Sequence, residues 1–234
     1  MGPIREQDAD LTRGSEPKDT ARAPRMKPGE RRVHILQTLA AMLESPKTEK
    51  ITTAALAARL GVSEAALYRQ FASKAQMFEA LIEFIEATFF GLINQIAEKE
   101  PNGVLQARAI GMMLLNFAAK NPGMTRVLTG EALVGEHIRL AERVGQVLER
   151  VETSVKQSLR IALMEANQAA AGGEPDGHAA LRLPPDYDPA MRANLLVSYV
   201  VGRWHRYARS GFTRAPAEHA EAQLHLILHV CTPL

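Results

Sequence analysis

An all-α fold is predicted for this 234-residue chain by three observations. Apolar residues recur at three- and four-residue steps along most of its length. Serines and threonines stand where helix caps belong. No stretch shows the apolar–polar alternation of β-branched residues that a half-buried strand requires.

Residues 1–27 hold six Lys/Arg, five Asp/Glu and three prolines with almost nothing apolar, too little to offset the entropy of ordering. A disordered N-terminal arm is expected there. From Glu30 the pattern is helical: Ile35, Leu36, Leu39, Ala40 and Leu43 form one stripe, and Ser45-Pro46 ends it. Thr52 or Thr53 caps a second, short helix that runs to about Leu60, and Gly61 punctuates it. Ser63 caps a third helix ending near Phe71. Ser73 caps a fourth, with Gln76 three residues on completing a capping box. The fourth helix carries Met77, Phe78, Leu81, Ile82, Ile85, Phe89, Leu92, Ile93 and Ile96 at helical spacing, and Pro101-Asn102-Gly103 breaks it. Its length of roughly 37 Å suffices to link two domains.

Further helices are expected over 104–120, from Asn121-Pro122-Gly123 to about Leu128, from about Glu136 to Ala166, and over 188–209 and 216–231. Residues 167–189, rich in Ala, Gly and Pro, read as a flexible loop. The predicted organisation is an arm (1–27), a small domain (28–73) and a larger domain (74–234).

Formal net charge is only +2, but its distribution is uneven. Residues 22–74 contain ten Lys/Arg and four Asp/Glu, whereas residues 75–234 contain fifteen and seventeen. The basic excess therefore sits on the small domain, as expected for phosphate contacts that release counterions. The single cysteine, Cys231, excludes an internal disulfide framework and fits a reducing compartment. No signal-like leader and no run of about 18 apolar residues is evident, so a cytoplasmic location is expected.

Thr52 to Phe71, TTAALAARLGVSEAALYRQF, has helix-turn-helix spacing. Ala57 allows two helices to pack closely, Gly61 supplies the positive φ of the turn, and Val62, Leu67 and Phe71 are assigned to the buried side. The second helix of the pair then presents Ser63, Glu64, Ala65, Tyr68 and Arg69 to a major groove, with Arg69 suited to phosphate or guanine and Glu64 to cytosine. Thr52, Thr53 and Lys74, at helix starts, and Arg31 and Arg32 are assigned to phosphate or minor-groove contacts. A plain helical hairpin is the structural alternative. Two half-sites one DNA turn apart call for a dimer.

The run ITTAALAARLGVSEAALYRQFASK (51–74) resembles the TetR family of helix-turn-helix proteins through Gly61-Val62-Ser63, Leu67-Tyr68-Arg69, Phe71 and Ser73-Lys74. Gln70 stands where that family usually has His, and Ala72 where Pro is frequent. LIEFIE (81–86) and NPGMTRVLTG (121–130), outside the DNA-binding part, narrow the resemblance to the nucleoid-occlusion branch of the family. That resemblance implies a homodimer on palindromic chromosomal sites. When DNA-bound it would inhibit assembly of the tubulin-like division protein FtsZ, whose C-terminal tail would bind the larger domain. It also implies nucleoid association. A ligand-responsive repressor of the same fold is the alternative.

For the tail, Phe84, Thr88 and Leu92 form a second edge on the fourth helix, and Met113, Asn116, Lys120 and Asn121 face it from the fifth. Such a groove, apolar with a basic and amide end, suits an extended peptide with aliphatic anchors and a carboxylate. Packing within the core or the dimer is its alternative. The turn that holds Arg126 reads first as a structural corner, with a partner carboxylate as the functional option for Arg126. Leu195, Tyr199, Val200, Trp204, Leu224 and Leu228 are assigned to a four-helix dimer interface, with Arg203, Arg206 and Arg209 at its rim. Glu221, His225 and His229 have metal-ligand spacing but lie among core leucines, so no metal is expected. No phosphate loop, HExxH or GxSxG motif is present, and neither a catalytic site nor a cofactor is expected.

Overall fold

The computed structural model describes residues 28–45, 50–172, 183–184 and 186–229. The expected N-terminal arm lies outside them, as do Cys231 and residues 173–182 and 185 of the predicted loop. Nine α-helices, one 3-10 turn and no strand are present among the described residues. The helices are α1 (Pro28–Leu43), α2 (Thr53–Leu60), α3 (Glu64–Tyr68), α4 (Lys74–Lys99), α5 (Gly103–Lys120), α6 (Pro122–Leu128), α7 (Arg139–Gly172), α8 (Pro189–Arg209) and α9 (Ala220–His229).

The small domain is α1–α3. Ile35, Leu36, Leu39 and Leu43 of α1 meet Leu56 and Ala57 of α2, Leu67 of α3 and Phe71 in one buried cluster. α4 grows out of this cluster and enters the larger bundle, where it packs against α5, α6 and α7. Its length and hydropathy would let it cross a membrane, unlike the sequence expectation. Here its apolar residues Met77, Phe78, Leu81, Ile82, Ile85, Phe89 and Ile93 are buried in the protein core instead. α5 and α7 pair closely: a Cβ on Gly103 would stand 2.1 Å from the Ser158 carbonyl. Trp204 fills the centre of the bundle. Its Nε1–H donates to the Leu114 carbonyl at 3.2 Å, and its ring lies 6.2 Å from that of Phe89. Phe89 in turn meets Phe117 edge-on at 4.8 Å.

Several boundaries differ from the sequence reading. α3 stops at Tyr68 rather than near Phe71, because Arg32 takes the Gln70 carbonyl at 2.7 Å and stacks 4.1 Å over the Phe71 ring. α7 starts at Arg139 rather than Glu136, after Gly135 in the left-handed region (φ 75°). It also continues six residues into the stretch read as loop, since Ala169-Ala170-Ala171 favours helix more than Gly172 opposes it.

Four of the six residues assigned to the dimer interface are corrected. Val200, Trp204, Leu224 and Leu228 are fully buried inside one protomer and offer nothing to a second copy. α8 has two apolar faces, and the sequence alone does not say which one turns inward. The outward face carries Met191 and Leu195, joined by Leu226 of α9. Tyr199 is half-buried, its hydroxyl donating to Gln223 at 2.6 Å. Arg203 closes the α8–α9 turn by donating to the carbonyls of Ala215, Pro216 and Glu218, whereas Arg206 and Arg209 are exposed.

Candidate nucleic-acid interface

The interface is built from local hydrogen bonds. Thr52 Oγ1 accepts the Ala55 N–H at 3.1 Å and starts α2. At the other end, Gly61 adopts φ 66°, and the N–H groups of Gly61 and Val62 donate to the carbonyls of Ala58 and Ala57. This left-handed glycine cap turns the chain sharply without the penalty a side chain would bring. Ser63 Oγ then accepts the Ala66 N–H and starts α3.

α3 buries only Leu67. Ser63, Glu64, Ala65, Tyr68 and Arg69 are all exposed, Tyr68 to 45%. They project from one short rod, as a groove-reading helix requires. Val62 departs from expectation: it is 38% exposed, because the glycine turn aims it outward, and Leu56, Leu67 and Phe71 fill the core without it.

Not every assigned side chain is free. Thr53 Oγ1 donates to Glu64 Oε2 at 2.7 Å and accepts from the Tyr68 hydroxyl at 3.4 Å. This chain ties α2 to α3 and engages the carboxylate assigned to cytosine. Arg32 is occupied in shaping the α3–α4 corner, while Arg31 is exposed. Lys74 pairs with Glu136 at 2.5 Å and lies 5.6 Å above the Phe78 ring. Ser73 caps α4 as expected, but Gln76 Oε1 accepts from Ala72 N–H rather than closing the capping box on Ser73.

In the larger domain, Phe84 is 41% exposed; Thr88 and Leu92 on its face of α4 are partly exposed. Thr88 Oγ1 donates back to the Phe84 carbonyl at 2.8 Å. On α5, Asn116 and Lys120 are exposed, Met113 is partly so, and Asn121 Nδ2 donates to the Phe117 carbonyl. Because the short 100–102 link turns the chain back, α4 and α5 run antiparallel, which brings the Phe84 level of α4 toward the Lys120 end of α5. Arg126 is a corner post instead of a partner contact. It is buried, donates to the carbonyls of Leu43 and Ser45, and pairs with Glu131. Beside it a Cβ on Gly123 would lie 2.0 Å from the Ala40 carbonyl, so α6 touches α1 backbone to backbone.

Three features escaped the sequence reading. Glu86 is buried in mid-α4 between Arg143 and Arg150 of α7, with Arg150 stacked 4.2 Å over Phe90. Arg192 is buried and donates to the Ile227 carbonyl. Glu136 joins the two domains. An acidic residue within an otherwise apolar face was the available signal for Glu86. On α9, Glu221 pairs with Arg108 at 2.7 Å, and the rings of His225 and His229 stack at 4.2 Å. Burial lowers the His229 pKa below its ordinary value.

Comparison with known proteins bears on these surfaces. Residues 36–81 match the family described as bacterial regulatory proteins of the tetR family, and residues 102–231 match the tetracyclin repressor-like C-terminal domain of SlmA-like type. A nucleoid occlusion factor SlmA of Idiomarina loihiensis is 49% identical over 82% of this chain and 91% of its own length. Another, from Alteromonas mediterranea, is 44% identical over 86% and 95% respectively. Among solved structures, the fatty acid degradation regulator FadR of Bacillus halodurans superposes with a TM-score of 0.67 at 12% identity, covering 87% of this chain and 97% of that one. AibR, solved with isovaleryl coenzyme A and operator DNA, gives 0.61 at 15% identity over 86% and 100%. At those identities the likeness concerns the fold.

Proposed function

The chain belongs to the nucleoid occlusion factor SlmA group of the TetR family, and from that membership we propose that it couples DNA binding to inhibition of FtsZ assembly. Two copies associate through the outward face of α8 and α9, where Met191, Leu195 and Leu226 are exposed. Their α3 helices enter successive major grooves of a palindromic site. The observation that carries this reading is the α3 rod with its two caps: one buried residue, exposed Ser63, Glu64, Ala65, Tyr68 and Arg69, and a basic surround. Arg69 and Arg31 reach phosphate, and Tyr68 and Ser63 approach the groove edge. Thr53 and Glu64 act first on each other and hold Tyr68 in place.

The FtsZ C-terminal tail takes the α4–α5 groove. Phe84, Leu92 and Met113 offer apolar contact, Thr88, Asn116 and Asn121 offer polar groups, and Lys120 meets a carboxylate. DNA-bound protein then blocks septum formation over the chromosome, which places it in the cytoplasm on the nucleoid. No enzymatic step is assigned to it. The rival, a ligand-responsive repressor, requires an apolar cavity in the bundle. The space between α4, α5 and α8 is occupied by Phe89, Phe117 and Trp204, which favours the occlusion reading.

The test is sedimentation of FtsZ polymer with GTP in the presence of this protein and either chromosomal duplex enriched by binding to it or scrambled duplex. Loss of polymer only with the enriched duplex is the expected result. Unchanged polymer in both mixtures, with a small molecule releasing the DNA, would select the repressor instead.

A further inference from the structure

Glu136 sits where the two domains meet. Its carboxylate is 2.5 Å from Lys74 Nζ and 3.8 Å from Lys50 Nζ, and Lys50 also donates to the Gly135 carbonyl at 3.2 Å. Lys50 belongs to the small domain, and Lys74 opens α4 at the junction with it. Lys50 lies two residues before Thr52, the cap of α2, and Lys74 follows Ser73, the cap of α4. Helix starts flanked by cations are the positions at which a backbone phosphate is favoured. The Lys74–Glu136 pair is shielded, with side-chain exposures of 22% and 10%. A cavity of about 170 Å³ beside it, lined by Met42, Ile51, Phe78 and Val134 among others, gives the lysine stem room to move. Val134 and Ile138, at either end of the loop, are strongly exposed, so the loop's attachment there is polar rather than apolar.

We propose that Glu136 is a positioning residue for DNA binding, a latch that holds the Lys74 ammonium against the larger domain until a DNA phosphate takes it. Without DNA, the carboxylate neutralises Lys74. With DNA, the ammonium swings on its four-carbon stem to the phosphate, Glu136 keeps only Lys50, and the Gly135–Ile138 loop is released from α4. The exchange is one anion for another at a single cation, so no charge is left buried and unpaired. It rests on the DNA-binding reading above and adds its regulation. The loop leads directly into α7, whose Arg143 and Arg150 clamp Glu86 between Phe84 and Thr88 of α4. Loosening the start of α7 therefore acts on the element that braces the proposed tail groove, a physical link between two sites biased by one contact.

The experiment uses the full-length protein and a fluorescent duplex of about 30 base pairs carrying the chromosomal sequence enriched by binding to the native protein, long enough for two half-sites. Glu136→Gln is expected to bind it about threefold more tightly per protomer and about tenfold as a dimer, the range of one weak ion pair no longer broken on binding. Glu136→Asp, one methylene shorter, loosens the contact with Lys74 and shows the same direction to a smaller extent, with the net charge kept. Lys74→Gln weakens binding and abolishes the Glu136→Gln gain, a non-additivity that a purely structural role does not produce. Amide exchange at 135–140 speeds up in the native protein when duplex is added, and is already fast in Glu136→Gln without it. Native protein that binds duplex while Glu136→Gln binds it equally or more weakly overturns the latch and leaves the DNA-binding reading standing. Native protein that ignores duplex overturns both.

Discussion

α3 buries one of its five residues, whereas α5 buries ten of eighteen. The first is held in place from its ends, by the Ser63 cap, the Gly61 turn and the Arg32 contact with Gln70 and Phe71. The second is held along its length, by Gly103 against α7, Gly111 against Leu224 and the Trp204 bond to Leu114. A helix fixed by its ends, one buried leucine and a side-chain tie to its neighbour can leave the rest of its surface to a ligand. A helix fixed along its sides has only the residual edge, and here that edge is Met113, Asn116 and Lys120. Substitutions in the two regions should therefore separate cleanly into effects on binding and effects on stability.

The largest effect is expected in the bundle. Trp204→Ala removes a fully buried indole and its bond to the Leu114 carbonyl, costing about 3–5 kcal/mol of unfolding free energy in urea titrations. A loss under about 1 kcal/mol would mean that the bundle can collapse into the space. The contrast is sharpened next by a crossed pair. Tyr68→Ala is expected to weaken duplex binding about tenfold, or roughly 1.4 kcal/mol, while changing stability by less than about 0.5 kcal/mol. Phe84→Ala is expected to leave duplex binding alone and weaken binding of an FtsZ-tail peptide by a similar factor. If either variant altered both activities equally, the two surfaces would not be separate.

Thr52→Ala tests the end-fixed helices directly. Loss of the bond to Ala55 N–H should cost about 1 kcal/mol in thermal or urea unfolding and weaken duplex binding as α2 frays. Equal stability would show that α2 is fixed by Leu56 and Ala57 alone. The smallest effect concerns pH. His229 is kept neutral by burial, so its folded pKa lies below that of the unfolded chain. Its contribution is present above the unfolded value near 6.5 and is lost as pH falls through the folded one. His229→Gln should flatten the acid side of the stability curve slightly, and an unchanged curve would assign that slope to other groups.

Much of the fold was legible because its signals are local. Thr52, Ser63 and Ser73 each accept a backbone N–H three residues on, so the sequence shows both partners together. Gly61 is equally local, since its turn demands a backbone geometry that few other residues adopt at low cost. The exposed face of α3 followed from these anchors. The candidate site was less legible wherever a side chain met something far along the chain. Lys74 reads as a free cation until Glu136, 62 residues away, is seen beside it. Arg126 reads as part of a structural corner, but the Leu43 and Ser45 carbonyls it holds, more than 80 residues away, are seen only in the fold.

The helices, their caps and the helix-turn-helix thus came from sequence alone, because periodicity and capping act within one or two turns. Which face of α8 turned inward, which charges were paired across domains and where Glu86 found its arginines were decided by packing. An amphipathic pattern marks a face for burial, but with apolar residues on two faces only the neighbouring helices choose between them.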